Sequence, residues 1–412
     1  MERINKIRIS GLSIASFLMM LSYAIVRPSA ESLFLASHGS ESLPYVWLFV
    51  AAAMLCVLYL YNRLIAVTDL ISMAGWVSLA SALLFLLLII AHSARIPYSD
   101  YAIYVLKDIY VVILVEIFYM YSNSVFPIKS ARWLYGYFGA LAAAGSVSGN
   151  LLIGYLALEF GTLMALSFTI PILVILWLLS IPFAKSASFG TPLVEHRGGV
   201  KMGEAASIAR RSSYLLLIMA LIFTVQIAVT LIDFQFNGAV ESAYPDMDLR
   251  TGFMGKVYAF INFATFAMHL MTGPILRLAT VPGVLVAIPF ILGANVISFI
   301  ALPTIMVAVV AKSASKIFDY TIFKSSKEIL YIPLSYEERT VGKAIVDMFS
   351  YRLAKGGASL LLMAVIAVGL VGYVGYLSLL LIIVWLIVAL ALSVRFRRKV
   401  SRREEIMGIN YN

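Results

Sequence analysis

Apolar stretches of roughly twenty residues recur from one end of the chain to the other, and twenty residues of helix rise about 30 Å, the thickness of a bilayer's hydrocarbon core. Short segments rich in Arg, Lys, Glu, Asp, Gly and Pro separate them. In lipid, backbone N–H and C=O groups have no water to bond, so segments of this kind close their hydrogen bonds internally as helices. The pattern predicts twelve spans, near residues 11–36, 44–66, 70–92, 101–126, 132–158, 162–183, 212–237, 252–273, 281–302, 304–322, 341–369 and 371–394. The first apolar run passes directly into Arg27-Pro28 with no small-residue cleavage site, so it is expected as a retained helix and not a removed signal.

The longest polar stretch runs from Ala184 to Arg211 and divides six spans from six. The expected organisation is a bundle over 1–184, a linker over 185–211 and a second bundle over 212–412 with a basic tail. Loops on one side collect Arg63, Lys129, Arg132, Lys201, Arg277 and Lys324, along with both termini, while the opposite loops gather Glu41, Glu159, Glu241, Asp246 and Asp248. That asymmetry places both termini in the cytoplasm. Two six-helix halves joined by a cytoplasmic linker are the plan of the major facilitator fold, whose substrate site lies at the midplane between the halves.

Composition sharpens this picture by exclusion. With 62% hydrophobic and 13% charged residues the chain is not a water-soluble domain. The formal net charge of +10 is accounted for by the topological loops, so no nucleic-acid partner is expected. Cys56 stands alone in an apolar run, which leaves no disulfide and no metal-ligand cluster. There is no Ser-His-Asp set and no HExxH, and Gly342-Lys343-Ala344 lacks the glycine spacing and the Ser/Thr of a phosphate-binding loop. Neither an enzyme, an ATP-hydrolysing pump nor a resident cofactor is expected.

The candidate chemistry lies in charges at membrane depth, which cost several kcal/mol each unless they face a partner or a cavity. They are Arg27 and Glu31; Lys107, Asp108 and Glu116; Asp233; Lys256; Lys312, Lys316 and Asp319; and Asp347, Arg352 and Lys355. Lys312 and Lys316 are one helical turn apart and share a face with Asp319 next to them, and Asp347, Tyr351 and Lys355 form a second stripe. In the tenth and eleventh spans cations outnumber their nearest carboxylates. A surplus of this kind suits an anionic ligand, and phosphate suits Lys and Arg in particular. Small residues crowd the fifth span (Gly136, Gly139, Gly145, Ser146, Ser148, Gly149) and the eleventh (Gly342, Gly356, Gly357, Ala358, Ser359), where close helix approach is expected. Taken alone, the residues indicate transport of an anion.

Several motifs add to this. Ser326-Lys327-Glu328-Ile329-Leu330-Tyr331-Ile332-Pro333-Leu334, then Gly342-Lys343-Ala344, Asp347, Arg352, Lys355 and Gly357, resemble the signature of the ATP/ADP translocase family of plastids and intracellular bacteria. Tyr244-Pro245 with Phe253-Met254-Gly255-Lys256, Ala131-Arg132-Trp133-Leu134-Tyr135 with Phe138-Gly139, and Arg27 with Ser32-Leu33 resemble further family segments in the same order. The sequence departs from the family where Ala30 and Asn237 stand at lysine positions; Asp233 stands at the helix-7 carboxylate and Asp108 at the helix-4 one. The resemblance implies a nucleotide exchanger; the chain is expected to act as a monomer in a bacterial inner membrane. On that reading Arg27, Lys107, Lys316, Lys343 and Arg352 face phosphate, with Asp319, Asp347 and Lys355 beside them, while Asp108 and Asp233 are counter-charges that pair when no substrate is present. The alternatives are a proton-coupled carrier of another organic anion, or a receptor or enzyme built on a carrier fold.

Overall fold

The computed structural model describes residues 2–65, 68–126, 128–185, 211–335 and 338–407; among them all regular structure is helical and no strand occurs. The helices are α1 (Glu2–His38), α2 (Leu43–Ile65), α3 (Leu70–Ser93), α4 (Ser99–Val125), α5 (Ile128–Phe160), α6 (Thr162–Ser167), α7 (Thr169–Lys185), α8 (Ser213–Ala243), α9 (Met247–Ala301), α10 (Ile305–Phe318), α11 (Lys324–Leu330), α12 (Lys343–Ala367) and α13 (Val374–Met407). A π turn, Asp319–Phe323, joins α10 to α11, and another, Glu338–Gly342, leads into α12. Apart from its two ends, the expected linker over 185–211 lies outside the described residues.

Local chemistry sets several of these boundaries. Asp69 caps α3 by accepting the Ser72 N–H at 2.9 Å. Gly39 and Gly161 end α1 and α5 at φ +72° and +83°, a left-handed conformation that glycine adopts without a Cβ penalty. Helix α9 has 55 residues, about 80 Å if it ran unbroken, which no bilayer of roughly 30 Å could hold in one pass. Thr280, at φ 57° and ψ 159°, breaks it, with Pro274 before and Pro282 after.

Eight helical segments among the described residues are long and apolar enough to cross a membrane, with α6 and α7 counted together and α9 counted once. The helices that fall short include the charge-bearing ones. Helix α4 carries Asp100, Lys107, Asp108 and Glu116, the α10–α11 segment carries Lys312, Lys316 and Asp319, and in α12 only Leu353–Ala367 is apolar. The side chains that lower their hydropathy are largely the ones singled out as candidate chemistry.

The chain divides into two compact units. The first gathers α1, α3 to α7, α2 beyond Leu48, and the segment Glu241–Phe263; the second gathers Leu43–Leu48, α8 as far as Val240, and the chain from Ala264 on. Each has its own core: Phe85, Tyr110, Phe138 and Leu173 are buried in the first, and Tyr214, Phe323, Tyr331 and Trp385 in the second. The Tyr214 hydroxyl donates to the Leu330 carbonyl at 3.0 Å, satisfying the buried phenol.

Helices in lipid gain little by burying apolar surface from one another, so close fit holds them together. In the first unit α1 crosses α5 at two glycines: a Cβ on Gly145 would lie 2.2 Å from the Phe17 carbonyl oxygen, and one on Gly149 would lie 2.6 Å from that of Leu21. Gly136, Gly139 and Gly356, which share the same sequence signal, have nothing within 4 Å. Gly145→Ala is therefore expected to cost about 1–3 kcal/mol through overpacking. Gly136→Ala should be neutral or stabilising, since alanine is the better helix former. Melting curves and size-exclusion profiles of the two variants in detergent would check this contrast.

Candidate substrate site

The second unit holds its charges on shared carboxylates. Asp233 of α8 accepts the Lys312 ammonium on Oδ1 at 2.9 Å and the Lys316 ammonium on Oδ2 at 2.8 Å. The four-residue spacing on α10 aligns the two lysines so that each oxygen of one carboxylate takes one of them. Lys312 is 2% exposed and also lies 5.1 Å from the Phe236 ring. Asp319 does not join the lysines on Asp233; its oxygens accept from the Gln226 amide at 3.2 and 3.4 Å. A π turn, Asp319–Phe323, begins at this residue. Gln226 was not anticipated. Its signal was its position two turns before Asp233, on the same face of α8.

A second shared carboxylate follows on α11. Glu328 has Lys327 3.7 Å from one oxygen, and Lys343, the first residue of α12, donates to the other. The Lys327 and Lys343 ammoniums also lie over the rings of Tyr351 and Tyr331, at 5.1 and 5.3 Å from their centroids. Lys355 is exposed on α12. The side chains of Asp347 and Arg352 lie outside the described residues.

In the first unit Arg27 and Lys107 each meet a carboxylate on their own helix. Arg27 donates to Glu31 at 3.2 Å across one turn of α1, and its guanidinium stands 4.2 Å over the Tyr258 ring. The Tyr258 hydroxyl donates to the other Glu31 oxygen. On α4 the Lys107 ammonium reaches the Asp108 carboxylate at 3.1 Å and lies 3.7 Å over the Tyr104 ring. Tyr258 was missed because its neighbour Lys256 carries the charge, yet Lys256 is exposed and Tyr258 is 2% exposed. The period Arg250–Met254–Tyr258, all three buried, marks the inward face of α9. Of the two positions where the resemblance places a lysine, Ala30 is fully buried, and Asn237 returns its amide to the Asp233 carbonyl at 2.7 Å.

Cations of both units have acidic partners. Arg27, Lys107, Lys312, Lys316, Lys327 and Lys343 all have a carboxylate within reach. Removing an ion from water costs several kcal/mol, so a lone buried lysine would be far less stable than a paired one. Two lysines meet on one carboxylate at Asp233 and again at Glu328. A phosphate chain bearing several negative charges can take both ammoniums of such a set and release the carboxylate. A cavity of about 120 Å³ in the first unit is lined by Leu12, Met19, Leu70, Leu114 and Phe118 with Arg8, and that lining does not suit a polyanion. Among the described residues no cluster of His, Cys, Asp or Glu could hold a metal ion.

Comparison with known proteins agrees with this chemistry. Residues 89–396 match the TLC ATP/ADP transporter family. ADP,ATP carrier protein 1 of Rickettsia prowazekii is 24% identical over 282 residues, 60% of this chain and 57% of that protein. The protein of the same name from Chlamydia muridarum is 26% identical over 50% of this chain and 44% of its own length. The one from Chlamydia pneumoniae is 22% identical over 74% and 68%. The chain thus spans about half the length of the first two of these relatives. Among solved structures, the nucleoside transporter NupG superposes with a TM-score of 0.64 at 12% identity, covering 95% of this chain and 98% of that one. A bacterial homologue of the iron transporter ferroportin gives 0.67 at 11% identity, with 95% and 99% covered. At such identities these likenesses establish a shared transporter fold and nothing about substrate. The family match covers most of the chain, and on it the chain belongs to the TLC ATP/ADP transporter family.

Proposed function

We propose that this protein is a nucleotide exchanger of the ATP/ADP type, working by alternating access, with twelve spans in two six-helix halves and both termini in the cytoplasm of a bacterium whose inner membrane it crosses. The twelve-span count rests on the break of α9 at Thr280 and on treating α4, α10–α11 and α12 as spans despite their charges. The single observation that carries the reading is Asp233 held between Lys312 and Lys316. With no substrate present, the carboxylate keeps two ammoniums tolerable at membrane depth. Nucleotide phosphates displace it, and their departure restores it. Lys343 with Glu328 forms a second set of this kind, and Asp319, Asp347, Arg352 and Lys355 belong to the same charged region of the chain. In the first unit Arg27 with Glu31, and Lys107 with Asp108, supply the corresponding pairs. Exchange follows from this partner swapping: when one nucleotide leaves, the next provides the fastest replacement for the lost negative charge.

Proteoliposomes loaded with ADP should take up labelled ATP, and empty proteoliposomes should not. Equal uptake into empty vesicles would rule out strict exchange, and no uptake of any nucleotide would remove the substrate assignment. Asp319 favours a second reading, a proton-coupled carrier of another organic anion, because Gln226 gives its carboxylate a neutral partner in place of a lysine. A pH gradient that drives uptake without counter-substrate would select that reading.

A further inference from the structure

The segment Glu241–Phe263 comes from the second half of the sequence yet packs within the first compact unit. Two of its carboxylates make the same contact. Helix α1 ends at Gly39, and the next residue, Ser40, donates its backbone N–H to Glu241 Oε2 at 2.8 Å. Helix α5 ends before Gly161, and the next residue, Thr162, donates its backbone N–H to Asp248 Oδ1 at 2.7 Å. In both cases a left-handed glycine closes a long helix and turns the following amide outward, where a carboxylate from the segment takes it. Further contacts lie between these two points and the buried end of the segment. Thr162 and Thr251 share a hydroxyl hydrogen bond of 2.8 Å, Arg250 donates to the Ser32 carbonyl at 3.3 Å, and Met254, fully buried, lies 3.5 Å from the Ser32 hydroxyl. The backbone of Gly255 fits against Asn150 and Gly154, where a Cβ would meet atoms at 2.8 and 3.0 Å.

We propose that Glu241 and Asp248 are latch residues, which hold Glu241–Phe263 against α1, α5 and α6 and so keep the non-cytoplasmic end of the transport path shut until they are released. The proposal rests on the alternating-access reading above and on the sidedness given there. Charge-assisted hydrogen bonds to backbone amides are strong enough to bias a two-state equilibrium by roughly an order of magnitude each, yet weak enough to break on a transport timescale. Glycine at 154, 252 and 255 leaves the contact face free of side chains that would lock it permanently. The two carboxylates therefore set how often the segment lifts.

The test uses Met254 as a reporter. In a full-length Cys56→Ser background, Met254→Cys puts a thiol where a buried thioether stood. A membrane-impermeant maleimide is applied from the non-cytoplasmic side, and the labelling rate is measured with and without Asp248→Ala or Glu241→Ala. The expected result is slow labelling with the latch intact, about tenfold faster labelling in each variant, and an intermediate rate for Asp248→Asn, which keeps an acceptor but loses the charge. Melting curves establish that the variants are folded; if an alanine variant is not, Asp248→Asn alone carries the test. Unchanged labelling in folded variants would overturn the latch. Faster labelling without any nucleotide flux would keep the latch and remove the nucleotide assignment. Nucleotide flux with unchanged labelling would do the reverse.

Discussion

Replacing Asp233 by Asn is expected to lower the stability of the empty protein by about 3–5 kcal/mol, because two lysines that share one carboxylate lose it together. The melting temperature in detergent should fall by several degrees. The same substitution is expected to tighten nucleotide binding, since phosphate no longer has to displace a resident carboxylate before it reaches the lysines. Exchange should nevertheless slow, because the lysines then return to a neutral amide oxygen and no longer to a carboxylate. Loss of stability joined to a gain in affinity sets this account apart from a merely structural ion pair, for which both would fall or binding would stay unchanged. Melting curves and a binding isotherm on one preparation give both quantities.

The second large effect is expected at Lys316. Lys316→Gln leaves Asp233 bonded to Lys312 at 2.9 Å, so the variant should fold. It removes one ammonium from the pair offered to phosphate. A hydrogen bond to a charged group contributes about 1.5–3 kcal/mol, so affinity for a nucleotide should drop roughly 10- to 100-fold. Changing Lys312 and Lys316 together would leave the part-buried Asp233 without either of its lysines, and that double variant should be poorly folded. Adding Asp233→Asn to it should restore folding without restoring transport. Exchange rates in proteoliposomes and yields of folded protein separate these outcomes.

How far these features could be read in advance depended on what kind of contact made them. Interactions within a single helix were legible: Lys312 and Lys316 share a face through their spacing. The break between the spans at 252–273 and 281–302 also falls where the backbone turns, at Thr280. Contacts between helices were not legible, since no periodicity links Lys312 to Asp233 across 79 residues. Asp319 looked like a third member of the lysine cluster, yet its carboxylate accepts from Gln226 of another helix, a contact that spacing within one helix does not report. Lys107 and Asp108, neighbours that an ideal helix points about 100° apart, still meet, because a lysine is long enough to bend back. The small-residue signal was ambiguous in itself. Glycines 145 and 149 are sites of backbone contact, while 136 and 139, in the same helix, touch nothing nearby. A sequence reports that close approach is possible, and the neighbouring helix decides where it occurs.

The central claim is that a lysine pair passes from Asp233 to the phosphates of the substrate. Its most direct test is a calorimetric series of adenosine, AMP, ADP and ATP on the purified protein and on Lys316→Gln. The account predicts affinity that climbs with the number of phosphates, and a clearly flatter climb in the variant. Equal affinity for adenosine and ATP, or an identical series in the two proteins, would contradict it.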